Sequence, residues 1–426
     1  MNEVSEPGGR TRLCARTAVT AAVLLSGLLG GCAETVTGTE RIATPDLSTL
    51  DVGELRTHPV TVPSNDNDTH GRVLESARLS EAVINPPDID PALIYGTSTL
   101  LPTPGRVSVL APEIAIEPIA NFGMIAGYTV TGSDVTGQEP RVGEAKAMRF
   151  TVLSFRDDDI ARMVAGRIDE ADIARTPDAV RVHVPGHAGA YAHWRDRSPI
   201  LFTTLAYRSF VIVVLAADRT RDEAALTTLT ANALTAELPL LDAFEPTPPD
   251  KLSTMPFDDD AMLRRMLHPD EDRWPYPLAD ANGTAQDDSS WPDEGWGSGV
   301  VYGPRGVSHL LGRSPEGRDS PGAGVERAAF IGSRWLLRLS DPARARAMNV
   351  RLTNTSQHEA VTPPSGVPDS ACFRNPAVTD AQRESRYYCF VLDGRYWAIV
   401  SAADEPTVKQ RAAAQYALLV NARTII

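Results

Sequence analysis

Three histidines, His183, His187 and His193, lie close together in residues 182–194 (VHVPGHAGAYAHW). Three imidazoles at such spacing could ligate zinc or copper. Strand spacing would put His183 and His193 on one face, but Pro185-Gly186 separates them and His187 falls in the turn. No carboxylate or cysteine completes a ligand set nearby, so the expectation is an exposed polar hairpin and no metal site. Ser308-His309 sits in GPRGVSHLLG. Neighbours in sequence do not make a nucleophile–base pair, since a triad is assembled from distant residues. The chain has no G-x-S-x-G elbow, no S-x-x-K and no P-loop. Residues 295–299 (GWGSG) lack the spacing of a dinucleotide fingerprint. No catalytic residue and no cofactor is expected on these grounds.

Residues 268–302 place Trp274, Tyr276, Trp291 and Trp296 among many Asp, Pro and Gly. Aromatic side chains on a loop can form a contact platform. These four are the expected contact residues for a ligand or partner; the competing expectation is that they fold back onto the domain.

The four cysteines carry a different message. Arg10, Arg12 and Arg16 precede an uncharged run at residues 17–31 (TAVTAAVLLSGLLGG), which ends at Cys32. The run suits an export signal and is short for a span of about 20 apolar residues. Leu29-Gly30-Gly31-Cys32 resembles the lipobox of bacterial lipoproteins. That resemblance implies a signal peptide at 1–31, cleavage before Cys32, and diacylglycerol and acyl chains (palmitate among them) on its thiol. Two or more chains hold a protein stably to a membrane. The expected location is the extracytoplasmic face of the cell membrane. Cys14 falls in the discarded segment. Cys372 and Cys389 remain as an even pair in an oxidising compartment, where a disulfide is the default.

Apolar residues at 42% and charged residues at 23% fit a globular protein. Cleavage removes three Arg and two Glu and leaves a net charge of about −15, from −14 for the whole chain. Such a charge argues against nucleic acid as a partner. Only Lys146, Lys251 and Lys409 are lysines; with the abundant Ala and Arg, this codon signature suggests a GC-rich actinobacterium.

Positioning these residues requires folded elements. Residues 32–70, rich in Thr, Ser, Asp, Asn and Pro, read as a flexible tether. A first domain is expected at 71–244, a Pro- and Asp-rich linker at 245–260 (EPTPPDKLSTMPFDDD), and a second domain at 261–426. The two domains look alike. A strand at 149–155 (RFTVLSF) precedes a helix from Asp157, and a strand at 334–339 (RWLLRL) precedes a helix from Asp341 and Pro342; Asp is a good N-cap and Pro a good first residue. Residues 209–218 (SFVIVVLAAD) align without a gap to 395–404 (RYWAIVSAAD). Turns at Tyr207-Arg208 and Asp393-Gly394 precede them, the second a strong hairpin signal. Each domain therefore reads as strand, helix, three strands, helix. This is an α+β plan of two related domains from an internal duplication, each an antiparallel sheet with helices on one face. Cys372 then corresponds to the strand near Ala190, which pairs with the strand around Thr203, so the disulfide should join neighbouring strands.

The lipobox at Cys32, residues 71–95 (GRVLESARLSEAVINPPDIDPALIY) and the repeated Ala-Ala-Asp junctions resemble a family of two-domain actinobacterial lipoproteins of mycobacterial or nocardial type. Its domains are known only as a domain of unknown function. The resemblance implies a surface lipoprotein and brings no activity with it. The expectation is a non-enzymatic envelope protein that binds a partner protein or small envelope ligand. The alternatives are an envelope hydrolase with a site assembled from distant residues, and a structural spacer.

Overall fold

The computed structural model describes residues 46–136, 143–195, 198–258, 260–269, 273–278, 298–311, 324–378 and 384–424. The first half contains helices α1 (Asp68–Leu79), α2 (Pro86–Ile89), α3 (Pro104–Leu110), α4 (Ile116–Asn121), α5 (Asp158–Arg175) and α6 (Glu223–Ala243). Its strands are β1 (Ser98–Leu100), β2 (Ala126–Ser133), β3 (Ala147–Ser154), β4 (Ala179–Arg181), β5 (Tyr191–Arg195), β6 (Ile200–Tyr207) and β7 (Phe210–Ala217). The second half contains strands β8 (Val300–Tyr302), β9 (Val325–Ile331), β10 (Arg334–Leu339), β11 (Glu359–Val361), β12 (Ala371–Arg374), β13 (Tyr387–Asp393) and β14 (Tyr396–Ala402). Its helices are α7 (Pro304–Leu311), α8 (Pro342–Thr355) and α9 (Glu405–Asn421).

Each half builds one antiparallel sheet. The strand orders are β1-β2-β3-β7-β6-β5-β4 and β8-β9-β10-β14-β13-β12-β11. The same order occurs twice, so the expected α+β plan with two related domains is what the chain adopts. Each copy extends the expected strand–helix–strands–helix unit by two leading strands and by a three-residue edge strand, β4 or β11. The helix starts follow local chemistry. The carboxylates of Asp157 and Asp341 accept from the Ile160 and Arg344 amides at 2.9 Å each, satisfying donors a helix start leaves open. The β6–β7 and β13–β14 loops are Arg208-Ser209 and Gly394-Arg395, one residue later than expected. Arg208 (φ 52°) and Gly394 (φ 56°) occupy equivalent positions.

The first sheet is covered on both faces, one more than expected. Val152, Ile212 and Val214 join the core shared with α1 and α6, while the alternating Leu153, Val211 and Val213 pack on α3, α4 and α5. Period-2 alternation with apolar residues on both faces is the physical reason. The second sheet divides likewise. Trp397 of β14 donates to Asn349 of α8 at 3.0 Å, and Asp393, on the other face of β13, is paired with Arg423 just after α9. One continuous core runs through both sheets, holding Tyr128 and Phe150 together with Tyr302 and Phe330.

Two expectations about connecting segments change. Residues 46–67, expected as tether, lie along the second half. Leu50 is buried, Gln410 of α9 donates to Asp51 at 3.1 Å, and Asn421 donates to the Thr57 carbonyl at 2.7 Å. Their scattered apolar residues, Leu47, Val52, Val60 and Val62, supply the burial that composition alone hid. The linker is also part of the core: Leu252 and Phe257 are buried. Gly71 of α1 meets the Leu252 carbonyl so closely that a Cβ would fall 2.1 Å from its oxygen, a contact only glycine allows.

Candidate functional site

The joint between the halves concentrates buried ionisable groups. The chain leaves α1 through a 3-10 turn, Ser80–Ala82, that carries Glu81. Its carboxylate accepts from the Arg305 and Gly306 amides, at 3.2 and 2.7 Å, at the start of α7. A carboxylate from one half thus meets the positive end of a helix from the other. Two residues on, the Ile84 amide donates to Glu237 Oε2 at 2.8 Å. Glu237 is fully buried on α6, and among the described residues its second oxygen has no hydrogen-bond partner. Burial pushes its pKa up to about 8, against the Ile84 hydrogen bond and the Arg305 charge. His309 of α7 lies 5.5 Å from the Tyr128 ring. Burial and then Arg305 push its pKa down to about 3, outweighing the Val83 and Ile84 carbonyls. At neutral pH the joint therefore holds a protonated carboxyl group and a neutral imidazole. Ser308, beside His309, donates to the Arg305 carbonyl at 2.7 Å instead of meeting the ring.

Sequence reasoning did not find this joint, though a signal existed. Residues 104–110 (PGRVSVL) and 304–310 (PRGVSHL) share Pro, Val, Ser and Leu at matched places, each after a three-residue strand. His309 thus replaces Val109, which is exposed in the first half.

The three close histidines are not brought together as a set. His183 is exposed. His187 reaches the Ala231 carbonyl and Thr235 of α6 at 3.2 and 3.0 Å. His193, expected on an exposed hairpin, is fully buried between Asp169 and Asp172 of α5, at 3.3 and 2.6 Å. The reason is that β5 turns this side chain toward the helix, where two carboxylates one turn apart need partners. Burial works against a charged ring, but hydrogen bonds to Asp169 and Asp172 outweigh it, and His193 titrates above its ordinary value. Arg181 and Arg195 complete the network at 2.7 and 2.8 Å. In the second half Phe373 holds the corresponding place and stacks on Tyr388 at 5.3 Å. Among the described residues, no group of three or more His, Cys, Asp or Glu could hold a metal ion.

Of the expected contact residues, Trp274 is only 7% exposed. It packs on Phe257 at 6.4 Å and on His268 at 5.4 Å. Tyr276 stacks on His70 at 5.0 Å and meets the edge of Phe257 at 5.4 Å. Both pack on Phe257 of the linker; Trp274 is buried and offers no surface platform, because aromatic area is better buried than left in water, while Tyr276 stays half-buried. Trp291, Trp296 and Cys32 lie outside the described residues. Cys372 and Cys389 form a disulfide between directly opposed residues of β12 and β13, with Cα atoms 4.1 Å apart. The neighbouring-strand placement is as expected, with Ala192 and Thr203 at the equivalent pair in the first half.

This duplicated architecture coincides with two family matches. Residues 62–257 match the N-terminal domain, and residues 262–422 the C-terminal domain, of the domain of unknown function DUF7373. The chain belongs to this two-domain family. No curated relative matches the sequence. Among solved structures, the chain is similar to the extracellular domain of PknH from Mycobacterium tuberculosis, at 11% identity and a TM-score of 0.27 over 42% of this chain and 97% of that one. That likeness is too slight to carry an argument. No helix among the described residues is long and apolar enough to cross a membrane.

Proposed function

We propose that the protein is an actinobacterial lipoprotein, held by lipid on Cys32 at the extracytoplasmic face of the cell membrane, that works by binding an envelope protein or small envelope ligand. The lipobox Leu29-Gly30-Gly31-Cys32 supports the address. The buried Cys372–Cys389 disulfide agrees with an oxidising compartment.

The placement of His193, His268, His309 and His358 supports binding over catalysis, while His58 and His183 are exposed. A general base needs a ring nitrogen free to meet a reacting proton. His193 has both nitrogens on carboxylates. His268 and His309 are buried, and His358 is held by the Tyr388 hydroxyl at 2.8 Å. The disulfide takes the two cysteines that could otherwise serve as thiol nucleophiles. The test is to titrate the purified protein against separated lipid, glycan and protein fractions of the envelope. Saturable binding with every component recovered unchanged supports the reading. Turnover of a component, lost on one polar substitution that leaves the fold intact, establishes the hydrolase alternative instead.

A further inference from the structure

The two halves solve one packing problem with different side chains. In the second half a 3-10 turn, Leu263–Arg265, is followed two residues later by Leu267, whose amide donates to Gln415 Oε1 of α9 at 3.0 Å. Gln415 Nε2 donates in turn to the Arg265 carbonyl at 2.7 Å. In the first half the turn Ser80–Ala82 is followed two residues later by Ile84, whose amide donates to Glu237 of α6. Both stretches then run into proline, Asn85-Pro86 and His268-Pro269. An amide offers one acceptor and one donor to the turn. A carboxylate offers only acceptors, and a carboxylic acid offers both. Glu237 repeats only the first of these contacts: its second oxygen is sealed from water and has no hydrogen-bond partner among the described residues, so nothing there offsets the cost of a negative charge.

We propose that Glu237 is a proton-operated latch at the joint: as a carboxylic acid it seats α6 on the turn through Ile84, and as a carboxylate it releases it. The titratable groups on the elements around α6 are Glu81, Asp88 of α2, Tyr207 of β6, His187, and Arg305 and His309 of α7; β7 has none. Arg305 is the charge that acts on Glu237, and it falls short of offsetting burial.

The direction with pH follows from proton linkage. Glu237 rises from an ordinary value of 4.5 to about 8 in the folded chain. Its contribution is full below 4.5 and is lost as pH rises toward 8. His309 and His268, depressed to about 3 and 4, act in the opposite sense and only below 6.5. His193, raised, acts in the same sense as Glu237 above 6.5. The latch is therefore read above pH 6.5, as a difference between wild type and Glu237→Gln, which leaves the other groups in place.

The experiment is hydrogen exchange at the Ile84 amide in the full mature chain, corrected for the intrinsic rate. Between pH 6.5 and 8.5 the opening equilibrium of wild type should rise roughly 20-fold more than that of Glu237→Gln, if opening exposes the carboxyl fully. Gln415→Glu should create a similar pH dependence at the Leu267 amide, which wild type lacks. Equal pH dependence in wild type and Glu237→Gln overturns the proposal. So does a Glu237→Gln chain that fails to fold, because a neutral amide keeps the acceptor that the Ile84 amide meets. A folded Gln415→Glu chain with a pH-independent Leu267 amide overturns it as well.

Discussion

Replacing Glu81 with alanine should loosen the grip of the first half on α7. The Glu81 carboxylate accepts from two amides of the other half, at 3.2 and 2.7 Å. Hydrogen bonds to a charged group contribute about 1.5–3 kcal/mol each when well buried, and losing a helix cap costs about 0.5–2 kcal/mol. Glu81 is half-buried, so the low end applies, and the pair together should be worth about 2 kcal/mol. That is roughly a 30-fold change in the opening equilibrium. Space reinforces the contact. A Cβ on Gly306 would fall 2.4 Å from Ser80 Oγ, so the turn and the helix start are in direct contact. The assay is native-state hydrogen exchange on a peptide covering α7, with urea unfolding of the same samples. Glu81→Gln keeps an acceptor oxygen without the charge and should lose about half as much. If Glu81→Ala stays within about 0.5 kcal/mol of wild type with α7 protection unchanged, the capping argument is refuted.

Two further outcomes follow from the packing. Trp274→Ala should cost about 3–5 kcal/mol, as for other buried aromatics, and denaturant midpoints would show it; a neutral result would return Trp274 to the surface role first expected of it. Arg208→Gly should gain up to about 1 kcal/mol, since Gly394 holds the same turn position with a similar positive φ; thermal unfolding that shows a loss would mean the Arg208 side chain outweighs the backbone strain.

Much of the duplication was legible because its carriers are long. Residues 209–218 and 395–404 form most of a strand and its exit, and apolar alternation with capping Asp residues marks such elements locally. The disulfide was legible because alignment of the copies put its cysteines on adjacent strands. The joint was not. Its copied pieces are a three-residue strand and a short helix 200 residues apart in sequence, too brief for periodicity to register. Glu237 sits in an Ala- and Leu-rich helix with nothing local to say that its face is sealed. The aromatic residues misled for a related reason: composition counts Trp274 and Tyr276 but does not say which way they point, and Phe257 and His70 come from distant positions to cover them. The tether shrank likewise, since residues 46–67 are polar in composition yet fastened by a few apolar contacts.

The intact mass of the protein extracted from the membrane fraction tests the lipid anchor directly. The expected chain begins at Cys32, lacks residues 1–31 and carries the added mass of a diacylglycerol and further acyl chains, with Cys32→Ala appearing unlipidated in the soluble or unprocessed pool. A wild-type chain that keeps its first residues, or one that starts elsewhere with an unmodified Cys32, would contradict it.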